Sequence, residues 1–540
     1  MGIGLKDIFK SDEERLVENK RKTSIRNMII FLCVIFVFII LALVIRFWGN
    51  VDEDRRMDIT KDITNIRNAV VALGKDSTTE EYPGINLEEQ VVQLNINGVI
   101  EEYRYGYYYL EAESLSQIAP ALNLQNERYV VNYDTGDVVN IDGIKYKGRR
   151  YHSYDDMIAI ENGQVPISDR VIIISSAADL NKIRSTPNGY FKLSANIDMS
   201  EYSIGEGWTP IEVFTGVLDG RGYTISNLKI NRPTQSRVGL FGDIKGTAQI
   251  SNLNIDNVDV IGGEYTGSLA GNCAGTISNV HIKNANITGL SSSTGGLVGA
   301  FSISKVSNCT VKANVDGDRN VGGAIGILYN GTVNKVSSEG NVTATENAGG
   351  LIGLARISDV TNIEETAAHV AVNGKNNLGG FVGAVEMTAS EKLEIVNSYA
   401  IGSVETGEKN LGGMFGQIYT IQGTPDVILR NLYGAVSVVV KGETSGGFVG
   451  YCGVGASTTQ VYENCFWQKA LAPGEVLNDV GKASEGSTMT FVDRTTEEMK
   501  MMRMYTTWNF ENVWEIEERA GTPTLRWEKN YIVVEDKDGK

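Results

Sequence analysis

Histidine and proline are scarce in this 540-residue chain, with 3 and 9 copies, and there are only 5 cysteines. The three histidines (His152, His281, His369) fall in no HExxH or related spacing, so no zinc site and no metalloprotease chemistry can be read from them. Five cysteines in so long a chain do not make a disulfide framework. Clustered Lys and Arg are also missing; with a formal charge of −17, a nucleic-acid partner is excluded, because phosphate binding draws on basic patches. Asp134-Thr135-Gly136 spells an aspartic-protease signature, but no second DTG or DSG supplies the partner carboxylate. Asp and Gly there are better explained by a turn. No cofactor is expected.

One long apolar run is present. From Met28 to Ile45 the chain carries no charge, a length that fits a membrane-spanning helix over 27–48. No small-residue cleavage site follows it, so it reads as an uncleaved anchor. Lys20, Arg21, Lys22 and Arg26 flank it on one side and Asp52, Glu53 and Asp54 on the other, which places residues 1–26 in the cytoplasm and everything after Trp48 outside. The expectation is a single-pass membrane protein with an extracellular C-terminal region.

Beyond the run, Ile59, Ile63, Ile66, Val70 and Leu73 mark one face of a helix that Gly74 would stop. Glu101–Leu110 is aromatic and strand-like, Leu115–Leu124 is helical, and Tyr129–Ile141 reads as a hairpin turning at Asp134–Asp137, with a further strand pair over Ile144–His152. An apolar helix, an amphipathic helix and a small antiparallel sheet in this order, together with RYVVNYDTGDVVN and IKYKGRRYHSYDDM, resemble type IV pilins and type II secretion pseudopilins over about residues 25–155. The chain lacks that family's prepilin-peptidase signature and the Glu near the start of its apolar run. The resemblance therefore implies a pilin-like α+β stalk domain (49–155) that stays in the membrane, followed by a linker at 156–171.

Glycine is abundant, at 60 residues, and much of it is periodic. A GG-apolar-apolar-G unit and its variants end at Gly242, Gly271, Gly299, Gly326, Gly353, Gly383, Gly416 and Gly450, at intervals of 27 to 34 residues. Self-similarity in this range signals a solenoid or propeller. An asparagine travels with each unit: Asn252, Asn279, Asn308, Asn334, Asn362, Asn397, Asn431 and Asn464. The last repeats owe their extra length to an insertion between glycine and asparagine. Each repeat reads as two or three short strands with no helical window, which excludes helical repeats and predicts a β-helix. The glycines would let backbone pack on backbone at the turns, and the asparagines would ladder along the axis.

This pattern resembles the GLUG repeat of bacterial surface proteins, which also occurs in parts of secreted immunoglobulin A proteases. YFKLSANIDMS, GWTPI and FTGVLDGRGYTISNLKI within Tyr190–Ile230 look like that family's opening coils, and WNFENVWEIEERAGTPTLRW (Trp508–Trp527) like its closing segment. The resemblance implies a mainly β protein: a right-handed parallel β-helix with opening coils at 172–235, GLUG repeats at 236–470, a capping segment at 471–530 and a tail at 531–540.

Asp316 and Asp318 in NVDGDRN flank a Gly as in calcium loops and are the weak metal-site candidates; no catalytic residue is assigned. The tyrosines at 103–109 fit a half-buried sheet better than a sugar platform. Cys273, Cys309, Cys452 and Cys465 occupy repeat positions; Cys452 with Cys465 is the one pair within a coil, though buried thiols explain all four equally well. The function expected is structural or adhesive, presenting a ridged face to a glycan, matrix or surface-protein ligand, without enzymatic activity. The alternatives are a polysaccharide lyase or glycosidase, and a minor component of a pilus or secretion machine.

Overall fold

In the computed structural model of the protein, the residues described are 17, 20–30, 56–68, the strands and short helical stretches between 90 and 162, and 171–532 apart from 439–443, 455–458, 470–476, 486 and 488. Residues 20–30 are helical, but most of the apolar run lies outside the described residues, as do Val70, Leu73, Gly74, the segment at 115–124, the turn at 134–137 and most of the linker. Among the described residues, no helix is long and apolar enough to cross a membrane. The chain divides into two compact units, one drawn from the first 166 residues and the other comprising residue 167 onward.

In the first unit, helix 56–68 buries Ile59, Ile63 and Ile66, the first three members of the apolar stripe. Tyr154 donates a hydrogen bond to Thr60 Oγ1 at 3.1 Å. The sheet has six strands in sequential order. Tyr129–Asn132 pairs antiparallel with Val138–Tyr146, which pairs with Arg149–Ser153, so the DTG joins two hairpin strands. The sheet also contains Gln90–Ile96, antiparallel to Val99–Tyr105, a strand that the sequence reading does not anticipate. No pilin-like domain is established by this arrangement.

The second unit is a β-solenoid of about 10 turns. Ile211, Phe241, Ala270, Val298, Ile325, Ile352, Val382, Phe415, Val449 and Val480 are register partners in one parallel column, and all but Val480 are nearly fully buried. Each large member contributes roughly 1.5–3 kcal/mol on burial, and the column repeats because each repeat places an apolar residue before its last glycine. Parallel pairing starts where Val171–Ile174 meets Tyr190–Leu193 and runs through Phe466–Gln468 with Val492–Arg494. The solenoid thus continues past residue 470, where the repeat ends in sequence.

The recurrent glycines are a steric requirement. A Cβ on Gly326 would lie 2.5 Å from the carbonyl oxygen of Gly299 in the preceding coil, and one on Gly296 2.2 Å from that of Gly323 in the next. Neither contact can relax, because both neighbours are backbone.

Left-handed asparagines turn the corners. Asn252, Asn279, Asn308, Asn397, Asn431 and Asn464 have φ between 50° and 57°. Asn279 donates to Asn252 Oδ1 at 3.1 Å, Asn431 to Asn397 at 2.9 Å and Asn464 to Asn431 at 3.4 Å. Asn334 and Asn362 do not occupy this corner: they sit in strands beside Ser307 and Thr332. Lys335 (φ 53°) and Glu365 (φ 50°) turn it instead, with Lys335 Nζ 3.8 Å from Glu365 Oε2. A second ladder, just before the Gly-Gly pairs, is more buried: Asn347 donates to Asn320 Oδ1 at 2.7 Å, Asn377 to Asn347 at 2.8 Å and Asn410 to Asn377 at 2.7 Å.

The segment after the solenoid does not simply close its end. Ala367, Tyr399, Tyr433 and Phe466 stack on successive coils, and Trp508, Trp514 and Trp527 pack against them in one buried cluster. Trp527 Nε1 donates to Glu365 O at 2.9 Å, and the Tyr399 hydroxyl lies 2.7 Å from Glu528 Oε2 and 2.9 Å from His369 Nε2. The segment is a lateral clasp across four coils.

Candidate functional site: a re-entrant aromatic face

The GG-apolar-apolar-G unit bends the coil back on itself. Asn410, before GGMFG, and Gln417, after it, meet on one side of the chain, with Asn410 Nδ2 donating to Gln417 Oε1 at 3.2 Å. The residue that follows each final glycine therefore faces outward into a re-entrant angle. In the middle coils these residues are Ala300, Ile327, Leu354 and Ala384, successive register partners. They form a buried strip separate from the main core, with Tyr265 and Tyr329 packed against it.

A second outward row runs beside the strip. Ser302 partners Tyr329, and Arg356, Glu386 and Tyr419 are register partners on later coils. Glu386 is the hub. Arg356 Nε and its terminal NH2 group each lie 2.7 Å from Glu386 Oε2, and the Tyr419 hydroxyl donates to Glu386 Oε1 at 2.5 Å. Burial, and then the carboxylate beside it, push the Tyr419 phenol well above its ordinary range, so it stays protonated. Burial also pushes Tyr265 up to about 12, with Tyr329 adding to the effect. Gly453 continues the row as a gap: a Cβ there would fall 2.8 Å from the Tyr419 Cβ and 3.0 Å from the Tyr451 ring.

The connections after this row lengthen along the later coils. After Ser302 and Tyr329 the chain enters the next strand within two residues, whereas after the strands of Arg356, Glu386 and Tyr419 the connections are 358–360, 388–391 and 421–425. This is the insertion read from the sequence. Ile303, Val360 and Ile421 stand exposed along that edge, and Ile303 holds φ 50°, an unusual conformation for a β-branched residue.

The residues singled out in the sequence lie elsewhere. Asp316 and Asp318 are both exposed; Asp316 has Thr288 and Thr343 as register partners, and burial alone raises its carboxyl. Among the described residues, no group of three or more His, Cys, Asp or Glu could hold a metal ion. Gly242 to Gly450 line the inside of the bend, and the first asparagine ladder turns a different corner. His281 is buried, with Nε2 2.8 Å from Asn279 Oδ1 and Nδ1 2.9 Å from Thr310 Oγ1, while His369 belongs to the clasp. Cys273, Cys309, Cys452 and Cys465 are buried thiols outside any disulfide, and burial pushes Cys273 and Cys465 up to about 12. Sequence reasoning missed Tyr265, Tyr329, Arg356, Glu386 and Tyr419; the last four each lie three residues after a final glycine, whereas Tyr265 has no such offset.

Comparison with known proteins matches parts of this chain. The family described as the M26 IgA1-specific metallo-endopeptidase N-terminal region matches residues 175–284. Halomucin of Haloquadratum walsbyi is 35% identical over 184 residues, covering 32% of this chain and 2% of halomucin. A protein of Evansella cellulosilytica described as a Gly-rich membrane protein is 36% identical over 122 residues, covering 21% of this chain and 14% of that protein. The chain thus spans 2% and 14% of these relatives' own lengths.

Proposed function

We propose that this chain is a membrane-anchored, non-enzymatic surface protein that displays a GLUG-type β-helix for adhesion, with the N-terminal unit acting as a pilin-like stalk. The observation that carries the reading is an outward row of tyrosines and paired charges on a regular solenoid scaffold, followed by lengthened loops, where binding groups are commonly placed. Similarity to a halomucin and to a protein described as a membrane protein supports display at the surface. Cleavage is disfavoured. Glycosidases place two carboxylates across the bond they break, whereas Glu386 is already engaged by Arg356 and Tyr419.

Protease shaving of intact cells tests this. Fragments from residues 171–532 should be released while residues 1–26 stay protected; protection of the solenoid on intact cells would refute surface display. A glycan and polysaccharide panel on the purified chain should show binding without chain cleavage.

A further inference from the structure

We propose that the re-entrant face around Tyr329, Arg356, Glu386 and Tyr419 is a groove that binds one chain of a neutral polysaccharide, laid along the direction in which the coils stack. This deepens the adhesive reading above and rests on it.

Three observations lead there. Behind the face lies a buried apolar strip, Ala300, Ile327, Leu354 and Ala384, with Tyr265 and Tyr329 packed against it. Tyr265, Tyr329, Tyr419 and Tyr451 stand along it, all partly exposed. Tyrosines of this kind offer an apolar ring face with a polar tip, the pairing that a sugar ring needs. Arg356, held by Glu386, supplies a half-exposed planar donor between those rings.

Charge selects among polymers. Arg356 is matched by Glu386, so this cluster offers no free cation, and the chain as a whole carries −17. A uronate or sulfated polymer would meet net repulsion, whereas neutral hydroxyls would not. Spacing selects orientation: neighbouring coils lie about 4.8 Å apart, a repeat commensurate with one pyranose unit of an extended chain. The longest connections, 388–391 and 421–425, follow the strands that carry Glu386 and Tyr419.

The test is calorimetric titration of the full chain, held in a detergent without a sugar headgroup, with linear neutral hexasaccharides of glucose, mannose and xylose and with a hexauronate. At least one neutral hexasaccharide should bind more tightly than the hexauronate. Tyr329→Ala and Arg356→Gln should each weaken that binding at least ten-fold, while Tyr329→Trp and Asn314→Ala, the latter on a different row, should leave it within two-fold. Each variant's thermal midpoint is measured alongside, so that a folding defect is read directly. Absence of binding to all three neutral sugars, tighter binding of the uronate, or binding indifferent to both Tyr329→Ala and Arg356→Gln would overturn the groove. Surface display is read separately by protease shaving, so the groove can fail while the adhesive reading stands.

Discussion

Removing Asn347 should cost more than removing any asparagine of the exposed surface. It sits at φ 58°, is 5% exposed, donates to Asn320 Oδ1 at 2.7 Å and accepts from Asn377 Nδ2 at 2.8 Å. Asn347→Ala adds the left-handed penalty of about 1–2 kcal/mol. It also strands a buried acceptor on Asn320 and a buried donor on Asn377, at roughly 1–3 kcal/mol each. The sum is about 3–8 kcal/mol, felt by the coils on both sides because solenoid stability resides in nearest-neighbour interfaces. Asn347→Gly escapes the left-handed penalty but strands the same two groups, so it should recover about 1 kcal/mol of the loss. Asn334→Ala, in a strand and outside both ladders, should cost under about 1 kcal/mol. Urea unfolding of the full chain, followed by far-ultraviolet circular dichroism, measures all three. Equal losses for Asn334→Ala and Asn347→Ala would refute the assignment of the ladder to the Asn-x-Gly-Gly corner.

Burial holds the His281 imidazole down to about 3, below its ordinary 6.5. The folded state keeps it neutral while the unfolded chain takes up a proton, so stability present above pH 6.5 is lost as pH falls toward 3, by about 1.4 kcal/mol per pH unit. His281→Gln should therefore lose stability at pH 7.5 through its hydrogen bonds, yet close the gap or overtake the native chain by pH 4.5; a difference constant with pH would refute this. Trp527→Ala should open the clasp at a cost of about 3–5 kcal/mol, read as rapid trypsin release of the C-terminal segment with the β signal retained; simultaneous loss of both would show that the clasp is integral to the solenoid. Maleimide should label Cys273, Cys309, Cys452 and Cys465 only in denaturant, checked by mass spectrometry of the peptides.

The architecture was legible because its cause is local. A glycine whose Cβ would strike the next coil's backbone is required in every repeat, so it recurs in the sequence, and the apolar pair between glycines follows from strand alternation. The asparagines were half legible. Their left-handed φ makes Asn the common choice, but an ion pair can hold the same corner, and Lys335 with Glu365 does so where the sequence rule points to Asn334 and Asn362. The Asn-x-Gly-Gly ladder was visible in NVGG, NAGG and NLGG and was absorbed into the glycine signal beside it. The face around Glu386 was not legible. Tyr329, Arg356, Glu386 and Tyr419 share an offset from the final glycines but no residue type, and only the register reveals that they form one row. A scaffold repeats its constraints and so exposes them to sequence reading, whereas a binding surface built on it varies at fixed positions. The informative signal in such a protein is the position that departs from its column, and here the departures gather where the loops lengthen.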